Sequence, residues 1–145
     1  MKKLAVMAFS LITVFSMTFF SFQPETYAWS ENWTGTWPHK TKCVNDAITV
    51  QSASIDGDSV IELRYSPSCE TIWARITADY PHDPNRGLGT AKIIRNSDGR
   101  TYSCDIPVGE SFCFTQQVND HNVTSYAYGQ HDNGLYFREA RTASY

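Results

Sequence analysis

CVNDAITVQSASIDGDSVIELRYSPSCETIWAR, residues Cys43 to Arg75, decides the fold. At its centre Asp56-Gly57 separates two β-rich runs. Asp-Gly is a strong hairpin signal, because glycine accepts positive φ without a steric cost. After the turn, Val60 to Tyr65 alternates. Ile61, Leu63 and Tyr65 fall on one face and Glu62 and Arg64 on the other, the period of a half-buried strand. Before the turn, Ala47 to Ile55 forms the partner strand. Cys43 and Cys69 lie equally far from Asp56, so an antiparallel hairpin brings them together at its open end. Pro67 ends the second strand, since proline cannot donate to a ladder. Thr71 to Ala78 is a third strand, with Ile72, Ala74 and Ile76 on one face and Trp73 and Arg75 on the other.

Outward from this hairpin the same rhythm continues. Asp79 to Gly89, DYPHDPNRGLG, is the longest loop signal. Strands are expected at Thr90–Asn96, Thr101–Asp105, Ser111–Val118, Thr124–Tyr128 and Leu135–Ala140. Turns fall at Ser97-Asp98-Gly99-Arg100, Pro107-Val108-Gly109, Asn119 to Asn122 and His131 to Gly134. Short strands with turns between them spell an all-β fold, a small antiparallel sandwich or barrel-like domain.

The chain has 145 residues. Lys2-Lys3, then an apolar run from Leu4 to Phe22, then Thr26-Tyr27-Ala28 read as a signal peptide over residues 1–28, cleaved after Ala28. Localisation is therefore expected to be secreted, with no stable membrane insertion after cleavage. Residues 29–42 form a Trp-rich arm, and residues 43–145 a single domain by length. Without the leader the chain holds 10 basic and 14 acidic residues, which excludes a basic nucleic-acid footprint. Four cysteines in an exported chain make a disulfide framework with three possible connectivities. The turns favour Cys43–Cys69 and Cys104–Cys113. A zinc reading of the same cysteines has no CxxC pair to rest on.

Trp29, Trp33 and Trp37 have two readings. Their indoles fill gaps over a small core, or their flat faces cover sugar rings in a wall polymer or other glycan. Glu62, Arg64 and Arg75 form a polar cluster on the central strands, either as ion pairs or as a recognition patch with Arg64 and Arg75 as its cations. His82 beside Asp83 and Asp79, and His121 and His131 beside Asp120 and Asp132, are the residues from which acid–base or metal chemistry could be built. They are equally ordinary loop residues, so no catalytic residue, metal or cofactor is assigned. No nucleophile elbow, phosphate-cradling loop or free thiolate is present.

Glu62-Leu63-Arg64-Tyr65-Ser66, Cys69 and Trp73-Ala74-Arg75, preceded by Cys43 and Asp46-Ala47, resemble the core motif of a bacterial family, domain of unknown function 2690. A weaker likeness continues through Phe114-Thr115 and Ala127 to Gly129. The resemblance implies a small secreted protein of Gram-positive bacteria, or an extracytoplasmic domain. It implies no catalytic residues. The family carries further cysteines upstream of the one matching Cys43, whereas Trp33 to Lys42 has none. The expected function is a secreted, non-enzymatic binding domain whose partner is a cell-wall polymer or an extracellular protein. A small hydrolase working through the loop histidines, and an inhibitor- or toxin-like factor acting on another protein, are the alternatives.

Overall fold

A computed structural model describes residues 33–85 and 88–145. The leader at 1–28 and Trp29 lie outside the described residues. Among the described residues nine strands follow one another: β1 (Ile48–Ser54), β2 (Ser59–Ser66), β3 (Thr71–Ala78), β4 (Gly89–Arg95), β5 (Thr101–Asp105), β6 (Phe112–Phe114), β7 (Val118–Asn119), β8 (Ser125–Asp132) and β9 (Phe137–Arg141). They form two antiparallel sheets. One runs β1-β2-β3-β6, with β7 also paired to β3; the other runs β5-β4-β8-β9. The all-β sandwich expected from the strand rhythm is the fold observed.

The hairpin forms because its turn is satisfied locally. Gly57 takes φ +89°. Asp56 Oδ1 accepts hydrogen bonds from the Asp58 amide at 3.1 Å and from Ser59 Oγ at 2.7 Å. β1 and β2 then pair from Ser54↔Val60 down to Ile48↔Tyr65, with one irregularity between Thr49 and Gln51. Ile61, Leu63, Ile72, Ala74 and Ile76 point inward from the first sheet and meet Ala91, Ile93 and Ala127 of the second. β2 and β3 lie across from β8 and β4. Gly129 is required by this approach. A Cβ there would sit 2.8 Å from Ile61 Cβ, closer than the sheets allow.

Both disulfides join the expected pairs. Cys43–Cys69, with Cα atoms 5.8 Å apart, ties a short 3-10 helix (Cys43–Asp46) to the β2–β3 turn. Cys104–Cys113, with Cα atoms 6.1 Å apart, has a larger role than its short loop suggests. Cys104 lies on β5 and Cys113 on β6, so the bridge staples the two sheets together.

Three local expectations are corrected. The strand expected over Ser111–Val118 is two pieces, β6 and β7. Between them Thr115 Oγ1 takes the Ala74 amide hydrogen bond at 3.2 Å, a side chain standing in for a ladder carbonyl. Gln117 leaves β3 to pair with the arm instead: Gly35 N–H donates to its carbonyl at 2.9 Å and its own N–H to the Thr36 carbonyl at 3.0 Å. The last strand starts two residues late, because Asn133 Oδ1 accepts from the amides of Leu135 and Tyr136 and holds them in a turn. β8 runs on to Asp132, which places His131 in a strand rather than a turn.

The polar layer at the far end of β8 sets a pH dependence. Asp120 accepts from Ser125 Oγ at 2.9 Å. Burial drives its carboxyl up to about 7, against the lowering effects of the Ser125 hydrogen bond and the Arg95 charge. Unfolded, the same group titrates at about 4. The folded state thus holds the proton more tightly. Its stabilising contribution is complete below pH about 4 and is lost as pH rises to about 7. Asp120→Asn keeps the acceptor and removes the charge. It is expected to stabilise the protein by about 1–2 kcal/mol at pH 8, after allowance for partial exposure, and by nothing at pH 4. Thermal melts at the two pH values check this, and equal melting of variant and parent at pH 8 would contradict it.

Candidate functional site

Strand alternation puts two rows of side chains on the outer face of the first sheet. Ser52, Glu62, Arg75 and Phe114 form one row, each directly opposite the next across β1, β2, β3 and β6. Thr49, Arg64 and Trp73 form the other. The expected polar cluster is present. Arg75 Nε donates to Glu62 Oε2 at 2.6 Å, Thr49 Oγ1 donates to Glu62 Oε1 at 2.8 Å, and Arg64 Nη1 donates to Thr49 Oγ1 at 2.6 Å. Arg64 also reaches the Ala47 carbonyl at 3.0 Å. Burial first, and the Arg75 charge second, lower the Arg64 guanidinium, while Glu62 opposes them.

Trp73 is 3% exposed although it stands on this outer face. The arm crosses the same face two positions away, at Thr71. Gln117 accepts from Thr71 Oγ1 at 2.9 Å and donates to Thr36 Oγ1 at 2.9 Å and Thr41 Oγ1 at 3.0 Å. Those bonds tie residues 36–41 to β3 at Thr71, on the face that carries Trp73. Pro38 is fully buried in the same segment.

At the edge of this face lies a groove of about 430 Å³. Trp37, His39, Phe112 and Phe114 line it, with Asp105 and Glu110 among its polar groups and the Cys104–Cys113 bridge in its wall. Trp37 meets Phe114 edge-on at 6.1 Å between ring centroids, and His39 meets it at 5.6 Å. Because Phe114 is the cross-strand neighbour of Arg75, the groove and the Glu62–Arg75 pair are continuous. The structure thus brings Trp37 and Arg75 to one surface. Arg64 stands one row away, next to Trp73. Trp33 is 38% exposed and does not line the groove. Phe112 is not singled out in the sequence, and Phe114 enters it only through the weaker family likeness. Their signal is the triplet Phe-Cys-Phe: with Cys113 turned inward to its disulfide, both rings must face outward.

The histidines regroup. His121 pairs with Glu70 at 2.8 Å, at the opposite end of β8 from His131, so the turns expected to carry the two do not converge. His131 instead shares a cavity of about 190 Å³ with His82 from the Asp79–Gly89 loop. His131 Nδ1 lies 2.5 Å from Asp56 Oδ2, and His82 Nδ1 lies 2.7 Å from the Ile106 carbonyl. Burial pushes the Asp56 carboxyl up, but donors from Ser59, His131 and Asp58 outweigh it and hold it below its ordinary value. Asp58, Asp83, Tyr80 and Asn133 complete the polar lining.

The chain belongs to the family described as protein of unknown function (DUF2690), whose sequence model matches residues 31–128. That stretch includes the hairpin, the aromatic groove and the first half of β8. The chain is also similar to an uncharacterized protein, YjfA, of Bacillus subtilis (strain 168). The two are 30% identical over 157 aligned positions, covering 99% of this chain and 96% of the relative. No solved structure matches. Among the described residues, no helix is long and apolar enough to cross a membrane.

Proposed function

We propose that this chain is an exported, non-enzymatic domain that binds a glycan, of the cell-wall polymer class, along the groove of Trp37, Phe112 and Phe114. The observation that carries the reading is the grouping of three aromatic rings from the arm and β6 on one open groove rather than in the core. Flat apolar rings cover the apolar faces of sugars, and the Asp105 and Glu110 carboxylates are acceptors for sugar hydroxyls. Phe112 is 44% exposed. Two disulfides support export, since such bonds persist outside the reducing cytosol. The apolar leader read at 1–28 supports it as well.

Co-sedimentation of the oxidised domain with purified cell wall and insoluble glycans, across a salt series, tests the proposal. Binding is expected to resist moderate salt, because stacking is not screened as exposed charges are. The double variant Trp37→Ala/Phe112→Ala is expected to lose pelleting by at least about tenfold, the loss of a little over 1.4 kcal/mol of stacking. Unchanged pelleting of the double variant would refute the groove. Binding abolished by moderate salt would transfer the site to Arg64 and Arg75.

A further inference from the structure

We propose that the groove of Trp37, Phe112 and Phe114 selects glycans whose sugars carry free amino groups, with the ammonium seated among its rings and carboxylates. The inference rests on the glycan reading above and adds the charge of the sugar. It comes from two exposed acids that line the same groove as the rings, Asp105 and Glu110. Asp105 ends β5, and its Oδ1 accepts a hydrogen bond from Thr90 Oγ1 at 2.7 Å. That bond orients the carboxylate and leaves its second oxygen open. Glu110 stands in the turn before β6. Its amide donates to the Pro107 carbonyl at 3.0 Å, and its carbonyl accepts from the His82 amide at 2.7 Å. The backbone of Glu110 is thus held on both sides, while its carboxylate has no partner among the described residues. The Cys104–Cys113 bridge ties the strand that ends in Asp105 to the strand that Glu110 leads into.

The rings favour the same sign of charge. An aromatic face is the negative side of its quadrupole, Trp most strongly, and it attracts an ammonium lying over it. Trp37 and Phe114 cross at 83°, so the groove has ring faces in two directions. His39, tilted 39° from Trp37, is the other titratable group that lines it among the described residues. Arg75, beside Phe114 across the ladder, is committed to Glu62 at 2.6 Å. Neither Arg75 nor Lys40, the residue after His39, lines the groove.

Three classes of sugar would meet this groove differently. A neutral, N-acetylated sugar covers the rings but offers the carboxylates only hydroxyl and amide donors. An anionic sugar brings like charge against Asp105 and Glu110. A sugar ammonium has three donors and a full positive charge. Its bonds to carboxylates are charge-assisted, about twice as strong as neutral ones. It also gains from the ring faces, which a hydroxyl does not. Charge complementarity thus selects the aminated sugar from the wider glycan class.

The test is co-sedimentation of the oxidised domain with insoluble chitin, with the same chitin after partial removal of its acetyl groups, and with that polymer re-acetylated. Mildly acid pH keeps the sugar amines protonated. The aminated polymer is expected to be preferred by about tenfold, and re-acetylation to abolish the preference. The preference should shrink as salt rises, while the ring contribution stays. Asp105→Asn/Glu110→Gln removes two charges and keeps the acceptor oxygens, and is expected to bind both polymers alike. Because the chain is acidic overall, Asp58→Asn/Asp79→Asn serves as the control. It removes the same charge from two exposed acids that do not line the groove, and is expected to keep the preference. Equal pelleting of the parent with both polymers would overturn the amine selection and leave the glycan reading standing. No pelleting with either would remove both. Equal loss of preference in the two double variants would show diffuse attraction and overturn the site. Displacement by a lysine-rich peptide but not by glucosamine oligomers would assign the groove to a protein segment, against the proposal.

Discussion

Trp73→Ala is expected to destabilise the domain by about 3–5 kcal/mol, the usual cost of truncating a buried Trp. This would be a large part of the total, since domains of this kind are stable by about 5–15 kcal/mol. Trp73 is 3% exposed, yet it projects from the side of β3 opposite the inter-sheet core. Residues 36–41, tied to the same face at Thr71 through Thr36, Thr41 and Gln117, are expected to supply its cover. Truncation should leave a cavity between arm and sheet and release both. Urea denaturation reads the loss of stability. Hydrogen exchange at the Gly35 and Gln117 amides, which pair the arm to the chain beyond β6, reads the release. A loss below about 1 kcal/mol with those amides still protected would mean that the arm does not need the indole, against the cavity argument.

The second large effect belongs to the Cys104–Cys113 bridge. For its sequence separation of 9 the loop-entropy argument gives about 2.6 kcal/mol, and for Cys43–Cys69, with a separation of 26, about 3.5 kcal/mol. Stability alone would rank the second bridge as the more important. The groove reverses the ranking for binding. Cys104 and Cys113 stand in its wall, and Phe112 and Phe114 flank Cys113 on a strand of three residues. The double variant Cys104→Ser/Cys113→Ser is thus expected to lose glycan pelleting while it is still folded. Cys43→Ser/Cys69→Ser is expected to keep pelleting at temperatures below its lowered midpoint. Melting curves and co-sedimentation of both variants separate the two effects. Loss of binding in the Cys43/Cys69 variant alone would show that the helix and arm, rather than β6, hold the site.

The local features were legible because each is encoded within a few residues. Ile61, Leu63 and Tyr65 alternate with Glu62 and Arg64, and Asp56-Gly57 marks the turn, so β2 and its pairing with β1 follow from period and turn chemistry. The positions of the cysteines about that turn pointed to Cys43–Cys69. The failures have one cause. In Ser111–Val118 the β pattern is continuous, but Thr115 replaces a backbone acceptor and Gln117 turns to the arm. Each is a choice made by partners far along the chain. His131 was read as a turn residue, because Asp132-Asn133-Gly134 gives a local turn signal. The ladder with β4 and β9 carries the strand past it.

The sequence by itself determined the strands of the first hairpin and β3, the all-β class, the disulfide pairs and the residue types available for a site. Short-range sterics and side-chain alternation suffice for these. Only the tertiary structure decided which distant residues share a surface: Trp37 with Phe114, Arg75 with Phe114, His131 with Asp56 across 75 positions of chain. Stacking two sheets sets those distances. The energy that stacks them comes from burying Ile61, Leu63, Ile72, Ile76 and Ile93, and that burial is indifferent to which polar groups it carries together at the edges.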